Sequence, residues 1–324
     1  MKIVFYCHYW APYHFAGSEM MAQNILRYFR EFGHETTVLC TAESPDTEWW
    51  EFDGTLCCVP ERGRAAELRL DAIKPDLILT HHQCTPQAVT YGRHMNIPVV
   101  QIIHNDMDVS KRYLKLGADY VIYNTNWIKD KFDAIYNLPS CVLHPPVYSI
   151  DHRAEPGDLV TLVNLNAHKG ARILYALADR MPDVKFLAVE GGHGIQIFET
   201  WPNVTHQKQT TNMREDVWAR TKILLMPSIY ESYGMASVEA LASGIPVIAN
   251  PTPGLRESLG SAGIFVDRDD IDGWEREIRH LLNDSNRWQM QSDLATQRSS
   301  ELDPSEELKN VVSNLEELVW RTQQ

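Results

Sequence analysis

The sequence lacks the short glycine fingerprints that hold nucleotides in the commonest dinucleotide and triphosphate sites. Its first strand-like run is followed by HYWAPYHFAG, without G-x-G-x-x-G, and the later stretch GGHGIQ fails at its final glycine. That removes the reading as a nicotinamide-dependent oxidoreductase. No G-K-[ST] occurs, which removes a P-loop NTPase. Cysteine is scarce: six residues, all in the first half, form no C-x-x-C pair. Buried reduced thiols are expected, not a disulfide framework or a zinc site. Basic charge is also short. Lys and Arg number 30 against 43 Asp and Glu, and the formal charge is −13. The excess acidity lies mainly in residues 151–324, where 17 basic face 26 acidic side chains. A broad basic face for nucleic acid is therefore not indicated, while a local basic groove in the first half stays open. No run approaches the ~20 apolar residues that span a bilayer. The opening MKIVFYCHYW lacks the apolar stretch and cleavage site of a secretory signal, and a cytoplasmic protein without an integral membrane segment is expected.

What is present is alternation. The chain has 324 residues, 44% of them hydrophobic, enough for two substantial cores. Short β-branched and aromatic runs at Lys2–Cys7, Thr36–Thr41, Asp76–Thr80, Pro98–His104 and Asp119–Tyr123 are separated by helix-capable segments. The segment HPPVYSIDHRAEPGD at 144–158, with three prolines and no periodicity, reads as a linker. The alternation then resumes with runs at Leu159–Leu165, Asp183–Val189, Lys222–Met226, Ile245–Ala249 and Gly263–Asp267. This predicts two α/β domains in series, 1–147 and 148–302, each with a parallel sheet and crossover helices. Residues 303–324 predict a last amphipathic helix. Asp303 stands as its cap, and Leu308, Val311, Val312, Leu315, Leu318 and Val319 form one stripe. That stripe docks on either domain or bridges both.

Chemistry concentrates in PSIYESYGMASVEALASGIP at 227–246. Gly234 falls where a helix begins, and a glycine there lets an anion approach the backbone amides of the first turn. The following helix is apolar almost all round, so Glu239 sits in a dry setting and requires partners. Sugar or ribose hydroxyls suit a carboxylate, which accepts two donors at once; the alternative is an Arg or Lys partner and a purely structural role. On one helix, Glu231 and Glu239 would lie ~12 Å apart along the axis. That separation is too great for the carboxylate pair of a glycoside hydrolase. With Glu231 in the loop before Gly234, both can face one ligand as a binding pair.

The spacing of Glu231 and Glu239, embedded in this context, closely resembles the E-x7-E signature of the retaining family-4 glycosyltransferases of GT-B fold. HKG at 168–170, GGHG at 191–194, PS at 227–228 and PTPGLRES at 251–258 extend the resemblance over most of the second domain. It implies two Rossmann-like domains facing each other across a cleft, with the acceptor side in the first and the donor side in the second. It implies that Glu239 holds the donor ribose, that Glu231 contacts the transferred sugar, and that Lys169 binds the diphosphate. Gly192, Tyr233, Gly234 and Met235 are expected to complete the donor site. The family has an Arg five residues before that Lys; here stands Asn164, and a charged hydrogen bond of roughly 1.5–3 kcal/mol gives way to a neutral one. The substituting cation is not identifiable in the sequence.

In the first domain, the loop Tyr9–Gly17 resembles the family's glycine loop, where the Gly17 amide meets the diphosphate; an ordinary turn capped by Ser18 is the alternative. His104 ends a strand in VVQIIHND, at the edge where α/β sheets bind ligands. In the family a His here contacts the donor sugar. Asp106 and Asp108 form DMD without an evident companion ligand and are read as a loop, so no metal is expected. The expected donor is a nucleoside-diphosphate sugar, with no further cofactor. Glu231, His104 and Lys169 are the expected catalytic residues, and transfer with retention to a hydroxyl acceptor is the implied reaction. Arg62, Arg64 and Arg69, and separately Lys111, Arg112 and Lys115, are candidates for lining an acceptor groove. The acceptor (glycan, lipid or nucleic acid), the base and the sugar are not legible. A non-catalytic nucleotide-sugar binder is the alternative from another class, and a phosphorylase with pyridoxal phosphate is the rival of the same fold.

Overall fold

The structure is a computed structural model and describes residues 1–14, 16–41, 49–59, 65–192 and 194–324. It divides into two compact units, Met1–Pro146 with Pro304–Gln324, and Val147–Asp303.

The first unit's strands are β1 (Lys2–Cys7), β2 (Glu35–Cys40), β3 (Trp49–Phe52), β4 (Thr55–Cys58), β5 (Leu77–His81), β6 (Val99–Ile103), β7 (Tyr120–Tyr123) and β8 (Ser140–Val142). Their order in the sheet is β3-β4-β2-β1-β5-β6-β7-β8. All neighbours are parallel except the hairpin of β3 with β4. Ile3 to Cys7 and all of β5 and β6 are buried, because helices cover both faces of a parallel sheet. The helix Gly17–Glu31 lays Ile25, Leu26 and Phe29 into the same cluster as Leu308, Val311, Val312, Leu315 and Val319 of the last helix, Ser305–Thr322. Side chains at i, i+3, i+4 and i+7 share one helix face, and here that stripe is buried in the first unit's core. Glu307 secures the docking: its carboxylate accepts from the His144 backbone N–H at 2.8 Å and lies 2.7 Å from His144 Nδ1. Pro304, directly after Asp303, already has helical backbone angles (φ −78°, ψ −4°), as proline suits a helix's first turn.

The second unit's strands are β9 (Leu159–Val163), β10 (Phe186–Val189), β11 (Val204–Gln207), β12 (Thr221–Met226), β13 (Val247–Ala249) and β14 (Gly263–Phe265). All are parallel, in the order β11-β10-β9-β12-β13-β14. The chain runs outward one way from β9 and the other way from β12, so the topological switch lies between these two strands. Ligands of open α/β sheets bind outside the carboxyl ends at such a point. Two sequence expectations are modified here. The crossover helix expected before the Lys222–Met226 run breaks at Val217 (φ −124°, ψ −63°) into a turn of α-helix and a 3-10 turn, with Trp218 fully buried beneath. The expected linker holds a short helix, Ser149–His152. Among the described residues, no helix is long and apolar enough to cross a membrane.

Candidate active site

The loops leaving β9 and β12 meet in the second unit. After β9 the backbone turns through Asn164, in the left-handed region at φ 73°. The Asn164 Oδ1 accepts from the Asn166 backbone N–H at 3.3 Å, the Asn166 side-chain amide at 3.0 Å and the Gln196 amide at 3.0 Å. Asn tolerates this conformation because its short amide bonds locally. Asn166 then receives the Lys169 N–H on Oδ1 at 2.9 Å, which sets the Lys169 backbone. Gly170, at φ 101°, opens the helix Ala171–Arg180; a Cβ there would lie 2.4 Å from Pro227 Cγ. Glycine at 170 thus permits both the turn and the approach of the β12 loop. Gly191 is equally constrained, because its Cβ would stand 2.2 Å from Asn164 Cγ. Gly192 is exposed beside it, and its neighbour at 193 lies outside the described residues.

The β12 loop carries the first glutamate. The Ile229 N–H donates to the His168 carbonyl at 2.9 Å, joining the two loops. Glu231 is buried, and its Oε1 accepts from Ser228 Oγ at 2.8 Å and from Lys169 Nζ. Lys169, Ser228 and Glu231 therefore form one constellation outside the carboxyl ends of β9 and β12. Gly254 explains the PTPG element. A Cβ there would sit 2.4 Å from the Glu231 carbonyl oxygen, so only glycine lets the helix Pro253–Leu259, capped by Thr252, approach so closely. Gly234 also lies in the left-handed region (φ 92°), against Leu255. The Tyr233 side chain is buried in a small cluster with Val147 and Val238, and Met235 packs against it.

Glu239 lies on the helix Met235–Leu241 and is buried. Its described neighbour is not an Arg or Lys: His152 Nδ1 stands 3.6 Å from Oε2. Burial pushes the carboxyl above its usual range, and His152 opposes the shift. A second cation adjoins the Lys169 loop. Arg268 donates to the carbonyls of Ala167 at 2.9 Å and His168 at 3.3 Å, a brace that composition and motif spacing did not reveal.

In the first unit the helix starts at Gly17 with Ala16 as its N-cap, so Ser18 lies inside the first turn instead of capping it. Glu19 is buried, with His14 Nδ1 3.3 Å from its carboxylate, and desolvation raises its pKa. His104 is buried where β6 ends, and its Nε2 lies 3.0 Å from His81 Nδ1. Its carbonyl accepts from the Asn124 amide at 3.0 Å. Burial first, then the neighbouring imidazoles, hold His104 and His81 neutral well below the usual histidine range. His82 and His8 are pushed down to about 4, again mainly by burial. Sequence reasoning missed His8, His81 and His82. The available signal was that each stands, like His104, at the carboxyl end of a strand-like run.

Of the remaining candidates, Asp106 pairs with Lys131, and Asp108 begins the helix Asp108–Leu114, which carries Lys111 and Arg112. The Arg69 guanidinium stacks 5.2 Å over the Trp49 ring. Arg62 and Arg64 lie outside the described residues.

Two largely parallel sheets flanked by helices, with Lys169 and Glu231 joined at the second sheet's switch point, make this a GT-B protein. Residues 155–298 match the family model described as "Glycosyl transferases group 1", and residues 15–148 match "Glycosyltransferase Family 4". The chain belongs to this glycosyltransferase family. It is similar to the sulfoquinovosyl transferase SQD2 of Arabidopsis thaliana, 22% identical over 83% of this chain and 64% of that protein. The chain thus spans less than two thirds of the curated relatives it matches. Among solved structures it resembles sucrose-phosphate synthase from Thermosynechococcus elongatus (TM-score 0.80, 14% identity, 99% of this chain and 100% of that one). It also resembles Anabaena HepE in complex with UDP and glucose (TM-score 0.79, 17% identity, 98% and 100%). Such identities establish the fold alone.

Proposed function

We propose that this chain is a retaining, metal-independent glycosyltransferase that moves a hexosyl or related sugar from a nucleoside-diphosphate sugar to a hydroxyl acceptor. The observation that carries this reading is the constellation Lys169–Glu231–Ser228 at the β9/β12 switch point. Breaking the sugar–phosphate bond develops negative charge on the diphosphate and positive charge on the sugar ring. Lys169 stabilises the departing diphosphate; Glu231 faces the transferred sugar, and Glu239 accepts from the ribose hydroxyls. Fixed charges of this kind act without reorganisation at the moment of reaction. The acceptor oxygen forms its bond to the anomeric carbon as the bond to the diphosphate oxygen breaks, on the same face. The acceptor proton leaves with the diphosphate.

Similarity to a protein solved with UDP and glucose supports the donor class. The experiment is a thermal-shift panel of nucleoside diphosphates and their sugars, followed by release of nucleoside diphosphate from the stabilising donor. Turnover that survives Glu231→Gln unchanged refutes the assignment. Asn164 favours one further reading, a nucleotide-sugar binder without transfer. Its amide is engaged within the loop where the family has a cation, and donor binding with no release of diphosphate by any acceptor would support that alternative.

A further inference from the structure

We propose that His81, His82 and His104, where β5 and β6 end, form a binding site for a late first-row divalent metal ion of the zinc type. The ring nitrogens of the three lie within 4.8 Å of one another. Two imidazole nitrogens bound at ~2.0–2.1 Å to a tetrahedral ion stand ~3.3 Å apart. His81 Nδ1 and His104 Nε2, at 3.0 Å, are already close to that spacing. The backbone brings the rings together by an unusual route. Successive strand residues point to opposite faces, but His82 adopts φ 49°, and its ring centroid lies 4.6 Å from that of His81 and 5.0 Å from that of His104.

A second observation is independent of spacing. His81 is fully buried, and its Nε2 has no hydrogen-bond partner among the described residues. Whichever tautomer the ring adopts, a buried nitrogen is left unsatisfied, a condition folded proteins rarely keep without a function. His8, where β1 ends, adds a further ring 5.6 Å from His81 and 5.7 Å from His82, and its Nδ1 is also buried without a partner. The donor set is therefore imidazole without carboxylate, which suits zinc, nickel, copper or cobalt and disfavours magnesium, calcium or manganese. The site lies wholly within the first unit and requires no part of the transfer reading.

The test is titration of the chelator-treated full chain with Co²⁺, read by its visible ligand-field absorption. One equivalent of Co²⁺ is expected to give nitrogen-ligand bands that Zn²⁺ displaces and excess Mg²⁺ does not. His82→Gln, at the half-buried member, is expected to weaken binding by more than the ~10–100-fold that loss of an outer-shell partner costs. His94→Gln, at an exposed histidine, is expected to bind as the parent. Each variant is checked by thermal melting, and His104→Gln provides a second ligand deletion should His82→Gln fold poorly. A spectrum unchanged from aqueous Co²⁺, displacement by Mg²⁺, or unaltered binding in folded His82→Gln or His104→Gln would overturn the proposal.

Discussion

Lowering the pH from 7.5 to 5.5 probes the neutral histidines of the first unit directly. In the folded chain His81 and His104 titrate well below their ordinary value, and His82 titrates at about 4. In the unfolded chain each returns to ~6.5. The folded pKa values are depressed, so between pH 6.5 and 4 the unfolded state binds more protons than the folded one. Stability is thus lost as pH falls through 6.5. For a group that stays neutral when folded, the step from pH 7.5 to 5.5 removes ~1.4 kcal/mol, hence ~4 kcal/mol for three. His8 adds less, being more open to solvent screening. Glu239 and Glu19 act in the opposite direction, because their raised folded pKa values favour the folded state as pH falls; ~4 kcal/mol is therefore a ceiling. A two-unit chain need not unfold in one transition. The appropriate assay is hydrogen exchange of peptides covering β5 and β6, corrected for intrinsic rates. Protection there is expected to fall by up to ~10³-fold over this step. In His82→Gln the fall is expected to be smaller by ~1.4 kcal/mol. Equal pH dependence in variant and parent, or protection that rises on acidification, would refute the idea of histidines buried in the neutral form.

Other perturbations address the second unit. Lys169→Ala is expected to lower kcat by ~10²–10³-fold, the loss typical of one preorganised electrostatic contact, measured as release of nucleoside diphosphate at saturating donor. Glu239→Gln is expected to weaken binding of the nucleoside diphosphate alone by ~10–100-fold, the equivalent of a charged hydrogen bond, while Glu231→Gln leaves that binding nearly intact; calorimetric titration separates the two. Gly170→Ala is expected to destabilise the second unit by ~2–5 kcal/mol, combining a left-handed backbone with overpacking against Pro227, and the thermal midpoint reads it.

Much of the site was legible because its parts are local in sequence. Glu231, Gly234 and Glu239 occupy one loop–helix segment, and HKG lies at one helix start. The roles of Gly170, Gly191 and Gly254 were not legible, since each is required by a residue distant in sequence: Pro227, Asn164 and the Glu231–Ser232 backbone. The Arg or Lys that stood as the structural alternative to a ligand for Glu239 is not what the described residues supply. His152 stands there, delivered by a turn of helix within a segment that composition marks as a linker. The brace from Arg268 to the Lys169 loop, about a hundred residues away, was likewise invisible.

By itself the sequence determined the α/β class, the alternation of strand and helix, the glutamate spacing and the family. These follow from periodicity and local motifs, which a one-dimensional chain carries in full. The tertiary structure alone decided which strands became neighbours. It joined Lys169 to Glu231 at one switch point, gathered four histidines from three strand ends, and buried the stripe of the last helix in the first unit. The physical reason is that close approach and burial depend on which distant surfaces pack together, and packing is a property of the folded whole.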